Sequence, residues 1–397
     1  MRVLYLTDSL SDLDGVGRYA VRLISALRRI DPQLEVHVLL SRKHRPSSSS
    51  VPEEWRVEVG LPPDYFLHMS GARFWPELAW ATGRVARAAR GADLIHAIKD
   101  FPHNLVALLG ARMRGLPCIA TAHGTYSVQP LCSGPHQRLA QWTYARLAAM
   151  VAVSSYTAGR LLERLGPGFE RERLHVIPNA VDAEHYRAAR ALAGTQPWHD
   201  VPFSLSIGEL KERKGHRLAV EAWCRVARAH PRLHHFVVGR LSDEAYHQAL
   251  VETARKAHVD ERLHFLDNVS EDEKVDLLQR ALVFLHTPVT GADGRFEGFG
   301  IVYLESAASG TPSIGTLDSG AVDAVVDGRT GLLVEPTVEA VAAALGHLIS
   351  DAALRERLGR LGIEYARTQT WEDNARRVHA LYRSALAARG RAGAESH

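Results

Sequence analysis

Cysteine is nearly missing: only Cys118, Cys132 and Cys224 occur in 397 residues. Their number is odd and their spacing matches no metal-ligand pattern. A disulfide framework and a zinc site are therefore not expected, and a reducing compartment is. Lysine is scarce too. Of the 48 basic residues six are lysines, at positions 43, 99, 211, 214, 256 and 274, so the close pair Lys211 and Lys214 stands out. The net charge of +3 is small for this length and argues against nucleic acid as a partner. No apolar run approaches the length of a transmembrane helix. The opening "MRVLYLTD" reads as a first strand and not as a secretory leader. The cytoplasm is the expected location.

What is present is the composition of a soluble globular enzyme, 46% hydrophobic and 23% charged. The length predicts two or three domains. Short apolar strands alternate with amphipathic helical stretches, the pattern of parallel α/β sheets. In the first half the strands are "RVLYLT", "EVHVLL", "DLIHAI", "PCIATAHG", "MVAVS" and "LHVIPN", with helices over Arg18 to Arg29 and Phe74 to Arg90. The pattern restarts with "PFSLSIG", "HHFVVG", "RLHFLD" and "LVFLHT" and with helices opening near Arg217, Asp243, Glu271 and Ile301. The expected organisation is a Rossmann-like domain over residues 1–186, a linker over 187–200 and a second Rossmann-like domain over 201–371. A last helix, about 372–390, is expected to pack back on the first domain. "SRKHRPSSSSVPEE", Ser41 to Glu54, reads as a polar, mobile loop. In doubly wound sheets ligands sit at the carboxyl ends of the strands.

"DGVGRYA", Asp14 to Ala20, has the spacing of a dinucleotide-binding turn. Two features exclude that reading. Gly15 comes eight positions after the end of the first strand, and the second strand, "EVHVLLSRK", has no acid at its end to hold a ribose. Gly15 and Gly17 still open a helix whose first N–H groups suit an anion, and a plain loop-to-helix turn is the alternative. The acids of "DLD", Asp12 to Asp14, resemble a metal clamp, but such a short pattern arises often by chance.

The densest signal is "GRFEGFGIVYLESAASGTP", Gly294 to Pro312. Glu297 sits in a glycine-rich turn and Glu305 follows on a helix that begins near Ile301. A helix start suits phosphate, and carboxylates suit paired sugar hydroxyls. Together they describe a nucleotide sugar; the alternative is a turn-capping glutamate and a solvated one. "GELKERKGH", Gly208 to His216, supplies Lys211, Arg213 and Lys214 directly after a strand, where a phosphoryl leaving group needs fixed cations. "TAHGTY" puts His123 at another strand end, where a functional and a structural histidine are about equally expected.

These stretches, in the order "DGVGRYAVRLISAL", "HGTY", "VAVSSYT", "VIPNAVD", "GELKERKG", "LHFLDNVSEDE" and "FEGFGIVYLESAASGTPSIG", resemble the retaining nucleotide-sugar glycosyltransferases of family four, across nearly the whole chain. The resemblance implies the GT-B fold, two doubly wound Rossmann-like domains facing across a cleft. It implies transfer of a hexosyl group from a nucleoside-diphosphate sugar to an acceptor hydroxyl, without metal or cofactor. It also implies roles. Glu297 would meet donor-sugar hydroxyls and Glu305 the ribose; Phe299, Gly300, Ile301 and Val302 would meet sugar and diphosphate through their backbone. Lys214 would neutralise the leaving diphosphate, Gly15 and Gly17 would approach the phosphate, Asn268 and Val269 would hold the base, and His123 would lie beside the reacting centre. One departure is plain: Glu209 stands where the family usually has arginine, and Arg213 is a candidate substitute. A sugar-nucleotide epimerase or hydrolase on the same fold, and a non-catalytic nucleotide-sugar-binding protein, are the alternatives. The acceptor is open among a saccharide, a small metabolite and a lipid-linked hydroxyl. "ARFWPELAWATGRVARAARG", Ala72 to Gly91, is basic and aromatic. It suits either an anionic inner membrane face, reached peripherally, or a core helix with a solvated basic side.

Overall fold

The computed structural model describes residues 1–11, 14–42, 51–63, 69–132, 134, 136–192, 194–267, 269–291 and 294–394. Asn268, Asp12 and the centre of the Ser-rich loop, residues 43–50, lie outside them. The chain divides into two compact units, Met1–Asn179 with Trp371–His397, and Ala180–Thr370.

The first unit is built on a seven-stranded sheet: β1 (Arg2–Thr7), β2 (Glu35–Ser41), β3 (Arg56–Leu61), β4 (Leu94–Ala97), β5 (Cys118–Ala122), β6 (Ala149–Ala152) and β7 (Leu174–Val176). All pairings are parallel, in the order β3-β2-β1-β4-β5-β6-β7. Central strands such as β1 and β5 are buried on both faces, hence their continuous apolar runs. β3 was not among the expected strands. It carries Arg56 and Glu58 and is only partly buried at the sheet edge, so no apolar run announces it.

Helix Gly15–Ile30 follows β1, and its Tyr19, Ala20, Leu23, Ile24 and Leu27 are buried at helical spacing. Helix Gly71–Ala88 buries Phe74, Leu78, Ala81 and Val85, and leaves Trp75 58% and Trp80 44% exposed. The final helix, Trp371–Ala394, belongs to the first unit; its Glu372 pairs with Arg29 at 2.6 Å and its buried Tyr382 bonds His96 at 2.6 Å.

The second unit has a six-stranded parallel sheet: β8 (Phe203–Ile207), β9 (His234–Val238), β10 (Leu263–Leu266), β11 (Val283–Leu285), β12 (Ser313–Thr316) and β13 (Gly331–Val334). Their order is β10-β9-β8-β11-β12-β13. Trp223, Val220, Val237, Leu285, Ile314 and Leu345 are among its fully buried core. β12 and β13 were not foreseen, because four-residue strands amid glycines show no run long enough to read. The division between units falls seven residues before the expected end of the first domain, and the stretch expected as a linker is docked on the second unit. Trp198 is 3% exposed and its indole N–H donates to Asp276 at 2.8 Å, while Arg190 pairs with Asp272 at 2.9 Å. One large apolar ring offsets a segment otherwise small and polar.

Candidate active site

In the second sheet the strand order reverses between β8 and β11, so a crevice opens at their carboxyl ends. The segment after β8 forms a short turn, Glu212–Lys214, closed by Gly215 in the left-handed region at φ 74°. A side chain at Gly215 would run into the Thr287 carbonyl just beyond β11. The Thr287 hydroxyl donates to the Gly215 carbonyl at 3.0 Å, and the Val289 N–H donates to the Arg213 carbonyl at 3.2 Å. The basic turn is thus fastened to the neighbouring strand end. That delivers two cations to one carboxylate: Glu297 Oε2 accepts from Lys214 Nζ at 2.5 Å and from Arg213 Nη1 at 3.1 Å.

Burial alone would raise the Glu297 carboxyl; the adjacent Lys214 and Arg213 charges overcome it and hold it at about 2. Burial lowers Lys214, and Glu297 opposes that shift. Two cations on one carboxylate leave one positive charge over. Directly beyond lies helix Ile301–Ser309, entered through Gly300 at φ 78°. A β-carbon at Gly300 would press on the Tyr303 ring at 2.8 Å. The first N–H groups of a helix have no acceptor within it, and those of Ile301 and Val302 open this one. Phe299 is buried.

Glu305, on the same helix, is 1% exposed and meets Lys274 Nζ at 3.3 Å. Lys274 also donates to the Tyr186 hydroxyl at 3.0 Å and pairs with Glu271 at 3.0 Å. Two further residues escaped the sequence reading. Lys274 sits in "EDEKVDLLQR", which looks like a solvated face, and His286 in "LVFLHT" looks like a strand end. The His286 imidazole is buried with neither ring nitrogen hydrogen-bonded. Burial, then the nearby Lys214 charge, push its pKa down to about 3, so it is neutral. Val269, half-buried, lies between β10 and the Ser270 cap of the next helix. Asn268 is outside the described residues.

Glu209 leaves β8 beside this cluster. It pairs with Lys211 at 2.8 Å and with Arg240 from the end of β9. Arg213, the candidate substitute for the missing arginine, is therefore spent on Glu297 and not turned toward Glu209.

The first sheet has its own reversal, between β1 and β4. There Lys99 Nζ meets Asp8 Oδ2 at 2.8 Å, both nearly buried. The His123 N–H donates to Asp100 at 3.2 Å and its Nε2–H donates to the Ile98 carbonyl at 2.8 Å. Burial lowers its pKa, leaving a neutral ring whose Nδ1 is the acceptor. The Tyr19 ring stands edge-on to it at 4.9 Å. Asp14 caps helix Gly15–Ile30 by accepting from Gly17 N–H at 2.8 Å. A β-carbon at Gly17 would meet the Ser11 carbonyl at 2.6 Å, whereas Gly15 faces open space. Gly17 is thus required by its own loop. A cavity of ≈ 390 Å³ at the amino ends of β1–β3, lined by Arg2, Glu35 and Arg56, lies at the opposite edge of the sheet from these side chains. Among the described residues no cluster of three His, Cys, Asp or Glu side chains is arranged to hold a metal ion, and no helix is long and apolar enough to cross a membrane.

Residues 13–185 match the family described as Glycosyltransferase Family 4, and residues 194–365 match Glycosyl transferases group 1. A glycogen synthase of Mycobacterium tuberculosis is 27% identical over 375 residues, covering 88% of this chain and 85% of that protein. A GDP-mannose-dependent alpha-(1-6)-phosphatidylinositol monomannoside mannosyltransferase of the same species is 30% identical over 297 residues, covering 72% and 74%. Among solved structures, Anabaena HepE in complex with UDP and glucose superposes with a TM-score of 0.75 at 18% identity, covering 96% of this chain and 98% of that one. Sucrose-phosphate synthase from Thermosynechococcus elongatus gives 0.74 at 19% identity, covering 98% and 99%. Two doubly wound units, the glycine–glutamate segment at the second reversal and these matches to both halves agree: the chain belongs to the family-four glycosyltransferases of the GT-B fold.

Proposed function

We propose that the protein transfers a hexosyl group from a nucleoside-diphosphate sugar to an acceptor hydroxyl with retention of anomeric configuration. The observation that carries this is the Arg213–Glu297–Lys214 cluster beside the start of helix Ile301–Ser309, at the reversal of the second sheet. Donor sugar hydroxyls would bond the Glu297 carboxylate, and the diphosphate would take the Lys214 ammonium and the N–H groups after Gly300. Glu305 would accept from the ribose, and the base would lie by Asn268 and Val269. The mannosyltransferase relative is GDP-mannose-dependent and HepE binds UDP and glucose, which supports a nucleotide-sugar donor.

In the reaction the C1–O bond to the diphosphate breaks and a bond from C1 to the acceptor oxygen forms on the same face. The acceptor proton passes to the departing phosphate oxygen. Charge builds on that oxygen, where Lys214 and a helix start are already oriented, and such fixed charge is worth most where water is excluded. These groups supply the charge that a metal ion would otherwise supply, so the reaction is read as metal-independent. The family resemblance also implies a part in the reaction for His123, whose Nδ1 is the acceptor. The outward Trp75 and Trp80 of helix Gly71–Ala88, with Arg42 and Arg84 against the Trp80 ring, support peripheral contact with an anionic lipid surface.

The test is calorimetric titration with UDP, GDP, ADP and their hexose conjugates, with Glu305→Ala as control. Tight binding of one nucleotide, lost in the variant, is expected; binding of none would overturn the donor site. NMR of the product's anomeric proton then reads retention directly, and excess EDTA should leave the rate unchanged.

A further inference from the structure

Two cation–carboxylate–cation triads flank the end of β8. One is Arg213–Glu297–Lys214; the other is Lys211–Glu209–Arg240. They are joined through the backbone. The Gly208 N–H donates to the Val238 carbonyl at 2.8 Å, and the Leu210 N–H donates to the Arg240 carbonyl at 3.1 Å, so Arg240 emerges from β9 alongside Glu209. The Lys214 stem lies over Gly208, within 3.5 Å of where a β-carbon would be. His216 Nε2 meets the Glu209 carbonyl at 3.3 Å. Both triads therefore open from one strand end.

Each triad holds two cations on one carboxylate and keeps one positive charge in surplus. A diphosphate esterified at both ends carries two negative charges. Resting on the donor-site reading above, we propose that the second triad is the outer half of the diphosphate site. In it Arg240 contacts the diphosphate and Glu209 restrains the affinity. Arg213 and Lys214 are the more enclosed cations and share Glu297. Arg240 is the open one: its side chain is 68% exposed, one terminal nitrogen is engaged by Glu209, and the Asp267 carboxylate lies near enough to act on its charge. A guanidinium has five N–H donors in a fixed fork. With one terminal nitrogen held by Glu209, the fork keeps further N–H donors for a phosphate oxygen. Glu209 is 24% exposed. Burial would raise its carboxyl, but bonds from Lys211 and Arg240 lower it, so it stays charged and repels an incoming anion. The arginine that the family usually carries after β8 is thus replaced by one from the adjacent strand, with a carboxylate between it and Lys214.

The experiment is titration of the full chain with UDP, GDP and ADP and with the matching monophosphates. Wild type, Arg240→Ala, Glu209→Gln and the double variant are compared, with melting curves as a check on folding. For the diphosphate that wild type binds, Arg240→Ala should weaken binding about tenfold, as loss of a charged hydrogen bond does, and leave the monophosphate within about twofold. Glu209→Gln should tighten the diphosphate about threefold, a gain that structural damage cannot produce. The double variant should bind about tenfold more weakly than Glu209→Gln, which separates a contact by Arg240 from an unmasked Glu209 charge. An unchanged preference for diphosphate over monophosphate in Arg240→Ala, or weaker binding by Glu209→Gln, would overturn this proposal and leave the donor site standing. If wild type bound no diphosphate, both would fall.

Discussion

The two units place a lysine–carboxylate pair at the same point of the same topology, yet build it in opposite ways. In the first unit Lys99 and Asp8 leave strands on either side of the reversal directly and pair at 2.8 Å with 8% and 11% of their side chains exposed. In the second, Lys214 and Glu297 come from two loops, pair at 2.5 Å, and keep 18% and 12% of their side chains exposed. The contrast lies in the lysine and in the elements that carry the pair. A sealed pair holds a scaffold together, because an uncompensated buried charge is costly. A pair carried on loops can exchange partners with a ligand. The first reversal therefore reads mainly as architecture, and the second as chemistry.

The largest effect should follow from removing charge at the second reversal. Lys214→Ala should lower the transfer rate about a thousandfold, the usual cost of losing a fixed donor at a developing anion, with the fold retained. Lys99→Ala should act chiefly through stability. If initial rates per folded molecule fell equally in both variants, the division of labour between the reversals would be wrong.

Stability should invert that order. Asp8→Ala removes the carboxylate 2.8 Å from the Lys99 ammonium in a nearly closed site and should cost about 3 kcal/mol in urea unfolding. Glu297→Ala leaves Lys214 and Arg213, 18% and 23% exposed, without their shared carboxylate and should cost about 2 kcal/mol, between the limits of exposed and buried pairs. Equal losses would mean that carriage on loops instead of strand ends does not distinguish the two pairs.

Acid should separate the units as well. His235 and His286 of the second unit are held at about 3 and His216 at about 4, and His234 and His264 are lowered; in the first unit His96 is held at about 3 and His37, His123 and His175 are lowered, all chiefly by burial. Unfolded histidines take a proton near 6.5. Between that value and the folded values the unfolded chain binds more protons, so stability falls as pH falls, by about 1.4 kcal/mol per pH unit per histidine at most. Glu297, depressed to about 2, opposes none of this: its contribution is intact above the unfolded carboxyl range and fades only as pH drops toward 2. Hydrogen exchange at pH 5 against pH 7 should therefore show the second unit losing protection first. Loss in the first unit alone would refute the assignment.

What could be read from the sequence follows the same division. Glu297, Gly300 and Glu305 lie within one segment, so their joint meaning is local and visible. Lys214 was visible because lysine is rare and it follows a strand. Asp8 and Lys99 meet only because the strand order sets β1 beside β4, and no spacing along the chain records that. Lys274 lies in a charged helical stretch, and its pairing with Glu305 depends on how two helices pack. The parallel α/β class was evident from alternating apolar runs, whereas β3, β12 and β13 were too short or too exposed to register. The segment 187–200 misled because its one anchoring ring, Trp198, was outweighed by polar neighbours.

The smallest expected effect lies on the outer face of the first unit. Helix Gly71–Ala88 turns Phe74 and Val85 into the core and leaves Trp75 and Trp80 outside. Arg42, which also pairs with Glu77, sits 4.8 Å from the centre of the Trp80 ring and Arg84 5.9 Å, so the aromatic surface has guanidinium groups at its edge. Such a face gains from an anionic bilayer twice, by shallow burial of indole and by attraction to headgroups. Neither gain is large for two rings and a few arginines. The double substitution Trp75→Ala, Trp80→Ala should lower co-sedimentation with phosphatidylglycerol vesicles about threefold and leave neutral vesicles unaffected. Salt should weaken the wild type's retention, because headgroup attraction is screened. If retention were equally strong on neutral vesicles and insensitive to salt, the arginines around Trp80 would have no part in it, and the basic side of the helix would be an ordinary solvated face.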